Sequence, residues 1–566
     1  MTNKEIVKQF KLASSLLELH GANPFKIRAY SSIVFVLERM EEALEEKNLE
    51  DLISLDIKKG MAEKIIEINH LGSFAELNEL VETTPPGVIE MLNIKGIGAK
   101  KIKTIWKELG IETIQELLEA CKANKISQLK GFGAKTEDLI IEKIEYIRSN
   151  AHKLRYADAE PFGIKLKELI EKSGVKSKVE ISGQLRRCLE IVDKIQLVVG
   201  SENINEIKNI LKDQKWITYE ELISGPFSWK GTVNENGVPI EIKFASEENF
   251  TSQLFLHSAS PDHLAFQNNL GKSLRSQAEL SKWESEGKLY EANQLQFIPP
   301  EMREGFAELE QAKNKALPTL VELKDLKGIL HNHSTYSDGK HSLEQMAVYC
   351  KELGYEYLGI SDHSVSAFYA NGLDDHRIAQ QHSEIDELNK KLAPFKIFKG
   401  IESDILNDGS LDYPEDILKS FDFIVASIHS NLSMNIEKAN ERLIKAIENP
   451  YTTILGHPTG RLLLKREGYP IDHKAVIDAC AKNNVAIEIN ANPWRLDLDW
   501  RWVKYAIDQN IMISINPDAH EKDGYHDMKY GLLVGRKAGL SKEMTLNALN
   551  LEAFENYLKN KLAGQK

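Results

Sequence analysis

KGILHNH (residues 327–333), YEYLGISDH (355–363), FKIFKGIES (395–403), FDFIVASIH (421–429), TTILGHP (452–458), VAIEINAN (485–492) and IMISINPDAH (511–520) recur along the last part of the chain. Each carries a short run rich in apolar and β-branched residues, and stretches with helical spacing separate one from the next. Seven strands alternating with helices predict a closed βα barrel. In such barrels the reactive groups gather at the C-terminal ends of the strands.

Six of the seven runs end on residue types that bind metals: His331 and His333, His363, Glu402, His429, His457, and Asp518 with His520. Asp338, in the SDG turn after the first pair, makes nine nitrogen and oxygen donors. Of 16 histidines, eleven fall after residue 326, where an even spread would put about seven. Imidazole with carboxylate suits Zn, Mn or Fe, and nine ligands exceed what one ion takes. Two or three divalent ions sharing carboxylates are therefore expected. Clustered ions lower the pKa of a shared water, polarise a phosphoryl oxygen and stabilise the attacking and leaving oxygens, so the expected chemistry is metal-assisted hydrolysis. Asp362, beside His363, is expected to support a ligand instead of being one. His341, His376, His382, His473 and His526 read as surface histidines.

HNH at 331, SDH at 361, GIES at 400, SIH at 427, GHP at 456 and PDAH at 517 together resemble the PHP (polymerase and histidinol phosphatase) domain, over residues 326–566. The resemblance implies a distorted (β/α)7 barrel, a trinuclear metal centre and phosphoester hydrolysis. His331, His333, Glu402, Asp518 and His520 are then expected to act in catalysis as well as ligation. Arg461, in GHPTGR, is placed to meet a substrate phosphate.

Residues 1–150 read as short helices, with apolar residues at i, i+3 and i+4. Inside them IKGIGAKKI (94–102) returns 35 residues later as LKGFGAKTE (129–137). In each copy the glycines, Gly96 with Gly98 and Gly131 with Gly133, allow a tight turn that presents backbone N–H groups of the following helix to a phosphate. The pattern resembles the helix-hairpin-helix motif and implies DNA binding, with Lys100 and Lys135 just past the turns. The net charge of −13 by itself argues against a nucleic-acid binder, but residues 95–107 carry five lysines and no acid, and 122–135 carry four and none. A third copy, DIKKGMAEK (56–64), has Asp56 and Lys58 in place of the glycines, so its loop is not expected to grip DNA.

From about residue 180 short apolar runs alternate with helical stretches, the texture of an α+β unit, which ends near IPPEMREG (298–305). The whole order resembles the bacterial family X DNA polymerases. The resemblance makes Lys64 the counterpart of a lyase-domain lysine, Lys26 part of a phosphate-binding helix, and residues 183–243 a nucleotidyltransferase-like palm. The family has a Gly-Ser motif, then Arg-Arg, two aspartates flanking one residue, and a third aspartate on a neighbouring strand. GQLRRCLEIVDKIQLVV (183–199) keeps Arg186 and Arg187 but has Gln184 for the serine, Lys194 and Gln196 for the two aspartates, and Glu241 for the third. Two Mg²⁺ ions need several carboxylates, so the palm is expected to be degenerate and without synthesis.

The expected fold is thus multidomain, α and α/β. It comprises helical lyase-like residues 1–80, helix-hairpin-helix residues 81–150, palm and thumb-like residues 151–310, a linker at 311–325 and the barrel at 326–566. The expected function is a metal-dependent 3′ to 5′ exonuclease, with cleavage at abasic sites as a further activity, acting as a monomer on gapped, nicked or 3′-ended DNA in repair. No run reaches the ~18 apolar residues of a membrane span, and MTNKEIVKQFKLASSLLELHG interleaves charge with leucine instead of forming a signal. The four cysteines lie far apart without CxxC spacing, so no membrane partner and a cytoplasmic, reducing compartment are expected.

Overall fold

The computed structural model describes residues 1–563 except 39, 41, 46 and 95. The chain forms two compact units, Met1–Ala151 and His152–Lys566. Each is described by itself.

The first unit is helical, and one apolar core runs through it from Ile6 to Ile144. The expected boundary at residue 80 therefore divides a single core. Phe10, Tyr30 and Phe74 stack at its centre, and Ile94, Ile102 and Ile140 join the same cluster, so the hairpin helices and the lyase-like helices bury their faces against one another.

In the second unit a five-stranded mixed sheet comes first. Lys178–Ser182, Ile195–Gly200, Pro239–Ala245, Ser228–Val233 and Ile217–Tyr219 lie side by side in that order, and only the Ile195–Gly200 and Pro239–Ala245 pair runs parallel. A separate small helical core, Phe255 to Ala312, follows. The expected linker at 311–325 is in fact pinned: Val321 is buried in the barrel core and its N–H donates to Leu540 O at 3.0 Å.

The rest is a nearly closed barrel of seven parallel strands: β1 (Gly328–Ile329), β2 (Tyr357–Ile360), β3 (Lys396–Asp404), β4 (Phe423–Ser427), β5 (Ile454–Leu455), β6 (Ala486–Asn490) and β7 (Ile513–Asn516). Neighbours in sequence are neighbours in the sheet, as right-handed βα crossovers require. Between β1 and β7 the strands splay, and a single bridge, Asn332 to Ala519, links the segments beyond them. Side chains fill the gap. Asn547, fully buried, donates to Gly328 O at 3.0 Å and to Ile515 O at 2.6 Å and accepts from Ile515 N at 3.1 Å, while Asn516 Oδ1 accepts from Leu330 N at 3.1 Å. One amide thus takes the place of ladder hydrogen bonds that the two edges cannot make to each other.

Asn547→Ala should leave these buried backbone groups unpaired and cost about 3 kcal/mol or more, at ~1–3 kcal/mol per orphaned group. Calorimetry should show a lower melting temperature; an unchanged one would mean that the seam does not depend on this side chain.

Candidate metal centre

Parallel strands bring their C-terminal ends to one rim, and all nine predicted donors meet there. They fall into four overlapping groups that could hold a metal ion: His333, Asp338, His363 and His520; His331, Glu402 and His457; His331, His333 and Asp518; and His363, Glu402 and His429. Glu402, in the middle of β3's last turn of pleat, belongs to two of them. Its Oε1 lies 3.0 Å from His457 Nε2, 3.1 Å from His429 Nε2 and 3.2 Å from His331 Nε2, and its Oε2 lies 3.0 Å from His363 Nδ1. Two donors at ~2.1 Å on one tetrahedral ion stand about 3.3 Å apart, so this spacing suits atoms that share ions. His331 Nε2, His363 Nδ1 and Glu402 Oε2 are buried and make no hydrogen bond, which leaves them as donors without any other employment. Asp338 and His520, about one-third exposed, form the open side.

Local backbone sets these side chains. A Cβ at Gly456 would overlap Ser427 Oγ, so the glycine lets β5 approach β4 closely and delivers His457 to the rim. Asp518 adopts φ 52, left-handed, and its N–H donates to His331 O at 3.1 Å, tying the ends of β7 and β1 together. Asp362 is no part of the four groups. Its carboxylate accepts from Ser334 N (2.8 Å), Ser337 Oγ (2.5 Å) and Gln381 Nε2 (2.7 Å), which shapes the loop that carries Asp338.

Two residues that the sequence reading passed over sit at the centre. Glu488, on β6, is fully buried and accepts from His331 Nδ1 at 2.7 Å, fixing which imidazole nitrogen faces the rim; it also accepts from His457 N at 3.1 Å and Asn516 Nδ2 at 3.1 Å. The signal was present: β6 is the one strand without a donor at its end, yet it carries an acid inside an apolar run. Arg495 is the second, with Nε 3.3 Å from Asp518 Oδ2. Arg461, by contrast, does not offer the guanidinium that was expected to meet a phosphate. All three guanidinium nitrogens of Arg461 are engaged, Nη1 with Asp499 Oδ2 at 2.6 Å, Nε with Arg495 O at 2.9 Å, and Nη2 with Leu496 O. Arg461 therefore braces the loop that presents Arg495.

In the first unit the two glycine turns have the expected form. Gly96 and Gly131 take φ 93 and 88, and Gly98 and Gly133 are N-caps of the helices Ala99–Leu109 and Ala134–Ser149 without a side-chain cap, so first-turn N–H groups stay available beside exposed Lys100 and Lys135. Lys101 Nζ lies 5.4 Å from the Phe132 ring, which puts the tips together. Lys95 lies outside the described residues. In the third turn Asp56 adopts φ 62 and the helix Lys59–Leu71 starts three residues later, the same backbone without the glycines. Lys26 and Lys64 both face Glu76, Lys64 Nζ at 3.3 Å, and Tyr30 donates to the same carboxylate.

Family models match in three places, a helix-hairpin-helix domain at residues 1–74, a SAM-like helix-hairpin-helix tandem at 88–145 and a PHP domain at 330–492. The chain is 34% identical over 572 residues to the DNA polymerase/3'-5' exonuclease PolX of Bacillus subtilis (strain 168), covering 99% of this chain and all of the relative. The chain belongs to the PolX family. Relatives over part of the chain include a probable phosphatase of Thermoanaerobacter sp. (strain X514), 32% identical over 31% of this chain and 72% of the relative, and one of Acetivibrio thermocellus, 26% identical over 41% and 94%.

At the PolX palm position Lys194, Gln196 and Glu241 do come together. Gln196 pairs in register with Glu241, and Glu241 Oε2 accepts from Lys194 Nζ at 2.8 Å and Gln196 Nε2 at 3.0 Å, with Lys230 Nζ 3.8 Å from its other oxygen. Burial pushes the Glu241 pKa up, but Lys194 and Lys230 outweigh it and hold the carboxyl below its usual range. Asp193 turns away and accepts from Gln184 Nε2 at 2.9 Å. Arg186 forms a two-pronged pair with Glu286, at 2.9 and 2.7 Å.

The rim's electrostatics predict a pH dependence. Burial lowers the His520 pKa, but Asp338 and Asp518 raise it to about 9; burial likewise opposes His429, which Glu402 and Asp404 raise to about 10. Without metal these imidazoles carry protons at neutral pH, and a ligating nitrogen must lose its proton. Mn²⁺ affinity should therefore rise from pH 6.5 to 8.5, with protons released on binding. Calorimetric titration in buffers of different ionisation enthalpy reads both; pH-independent affinity would contradict the assignment.

Proposed function

We propose that this PolX family member is a DNA-binding, metal-dependent phosphodiesterase that shortens strands from their 3′ ends during DNA repair, and that its palm does not polymerise. The observation that carries the reading is a contrast inside one chain: nine donors converge around buried Glu402, while the palm's one remaining carboxylate is occupied by Lys194. Two or three divalent ions of the Mn, Zn or Fe kind, bound by His331, His333, Asp338, His363, Glu402, His429, His457, Asp518 and His520, would supply an activated water and polarise the phosphoryl oxygen. Glu488 holds His331 in its ligating tautomer. Arg495 brings positive charge beside Asp518, where a phosphate entering the rim would meet it. Gly96, Gly98, Lys100, Gly131, Gly133 and Lys135 hold the DNA backbone without reading sequence, and Lys26 and Lys64 offer a further phosphate contact. The proposed substrates are gapped, nicked or 3′-ended strands, with abasic-site cleavage as a further reaction, and the working form is a monomer.

A second reading, gap filling with proofreading, draws on the name of the Bacillus subtilis relative. Lys194 weighs against it. At 4 Å and an effective dielectric of 20, one unit charge repels another by about 4 kcal/mol, and a dication by roughly twice that.

The test uses labelled gapped DNA with Mn²⁺, with and without deoxynucleotides. The wild-type chain should shorten the strand; His333→Ala and Asp518→Ala should not, while binding DNA nearly as well. Template-directed extension by His333→Ala would overturn the degenerate palm, and an equal loss of binding and cleavage would overturn the division of labour. Lys194→Asp with Gln196→Asp in the same background should recover extension if those positions hold the whole defect.

A further inference from the structure

Just beyond β2, after His363, the chain makes a short 3-10 turn, Phe368–Ala370, with two neighbouring aromatic rings held in solvent. Phe368 is 86% exposed and Tyr369 66%. Large apolar side chains side by side on a surface gain nothing in stability from that position, and such patches mark binding sites. The turn is also braced. Ala367 and Ala370 are buried beneath it, Leu373 N donates to His363 O at 2.9 Å, and Ser366 donates through N to Asp412 Oδ2 (2.6 Å) and through Oγ to Asp404 Oδ2 (3.1 Å). Arg377 Nη1 closes it with bonds to Asn371 O (2.8 Å) and Gly372 O (3.2 Å).

This rigid mount adjoins the candidate metal centre. The Tyr369 ring meets the His363 ring edge-on at 6.2 Å between centroids. A small phosphate ester has no use for two ring faces at this place. Nucleobases do, because every base offers a π-face and stacking tolerates any sequence.

We propose that Phe368 and Tyr369 form the platform on which the terminal bases of a DNA strand stack while its last phosphodiester enters the metal centre. The inference rests on the nuclease reading above and adds what places the strand end and favours polynucleotide over small esters. Both residues are positioning residues.

The experiment uses the full chain with Mn²⁺ and two single strands, one natural and one whose last nucleotides carry tetrahydrofuran in place of sugar and base. On the natural strand, Phe368→Ala with Tyr369→Ala should raise KM about 5- to 150-fold for each stack lost, with kcat changed less. The wild-type chain on the abasic-ended strand should show the same raised KM, and there the double variant should lose little more. Phe368→Tyr with Tyr369→Phe should restore the natural-strand KM. Equal KM for wild type and the alanine variant on the natural strand would overturn the platform, as would an equal loss on both strands, which is what mere damage to the loop would give. If the wild-type chain shortens neither strand, the nuclease reading itself falls, and the platform with it.

Discussion

Two carboxylates, Glu402 and Asp518, are buried at the rim of the barrel, and an ionised carboxylate out of water costs several kcal/mol unless positive charge compensates it. Here the compensation comes from imidazoles. Burial pushes both carboxyl pKa values up, yet His429, His331 and His363 around Glu402, and His331 and His333 with Arg495 around Asp518, hold them well below the usual range. Of these, His331 and His429 have raised pKa values and would give up protons to a divalent ion, whereas burial lowers the His333 pKa to about 3. Much of the surrounding architecture serves this exchange: β7 joins β1 through the Asp518–His331 backbone bond, Glu488 fixes His331 from the one strand without a rim donor, and Asn547 holds the seam that keeps the two ends in register.

The palm meets the same constraint in the opposite way. Glu241 is a half-buried acid compensated by Lys194, which lies in the bend just before the neighbouring strand Ile195–Gly200. Asp193, one residue before Lys194, lies in the bend between the short strands Ile191–Val192 and Ile195–Gly200 and accepts from Gln184 Nε2 at 2.9 Å. The palm is nevertheless held firmly to the barrel. Arg187 pairs with Glu304 at 2.9 Å, Lys537 donates to the same Glu304 at 2.6 Å, and Arg501 pairs with Glu190 at 2.8 Å.

Much of this was legible in the sequence because the barrel's chemistry is periodic. Short apolar runs ending on His, Glu or Asp state both the strand and the end at which it reacts, and all nine donors so read lie at the rim. What escaped is what depends on side chains reaching across space. Glu488 was hidden because its strand ends without a donor, and Asn547 because it lies in the short 3-10 turn Leu546–Ala548, far along the chain from the strands it bridges. Arg461 and Arg495 could not be ranked from spacing, since Asp499 and two carbonyls decide which guanidinium is free. The division at residue 80 follows two helical motifs with separate sequence signatures, and these bury their apolar faces in one core. Asp56 takes the left-handed turn that glycine takes in the other two copies, a conformation that aspartate tolerates better than most residues.

A Glu402 carboxylate shared between ions would make the centre polynuclear. Elemental analysis of the wild-type chain and of Glu402→Gln, each reconstituted with Mn²⁺ and desalted, tests it most directly. Two or three equivalents in the wild type, with the loss of more than one on replacing this single oxygen, is the predicted result. An unchanged metal content in the variant, or less than one equivalent in the wild type, would contradict it.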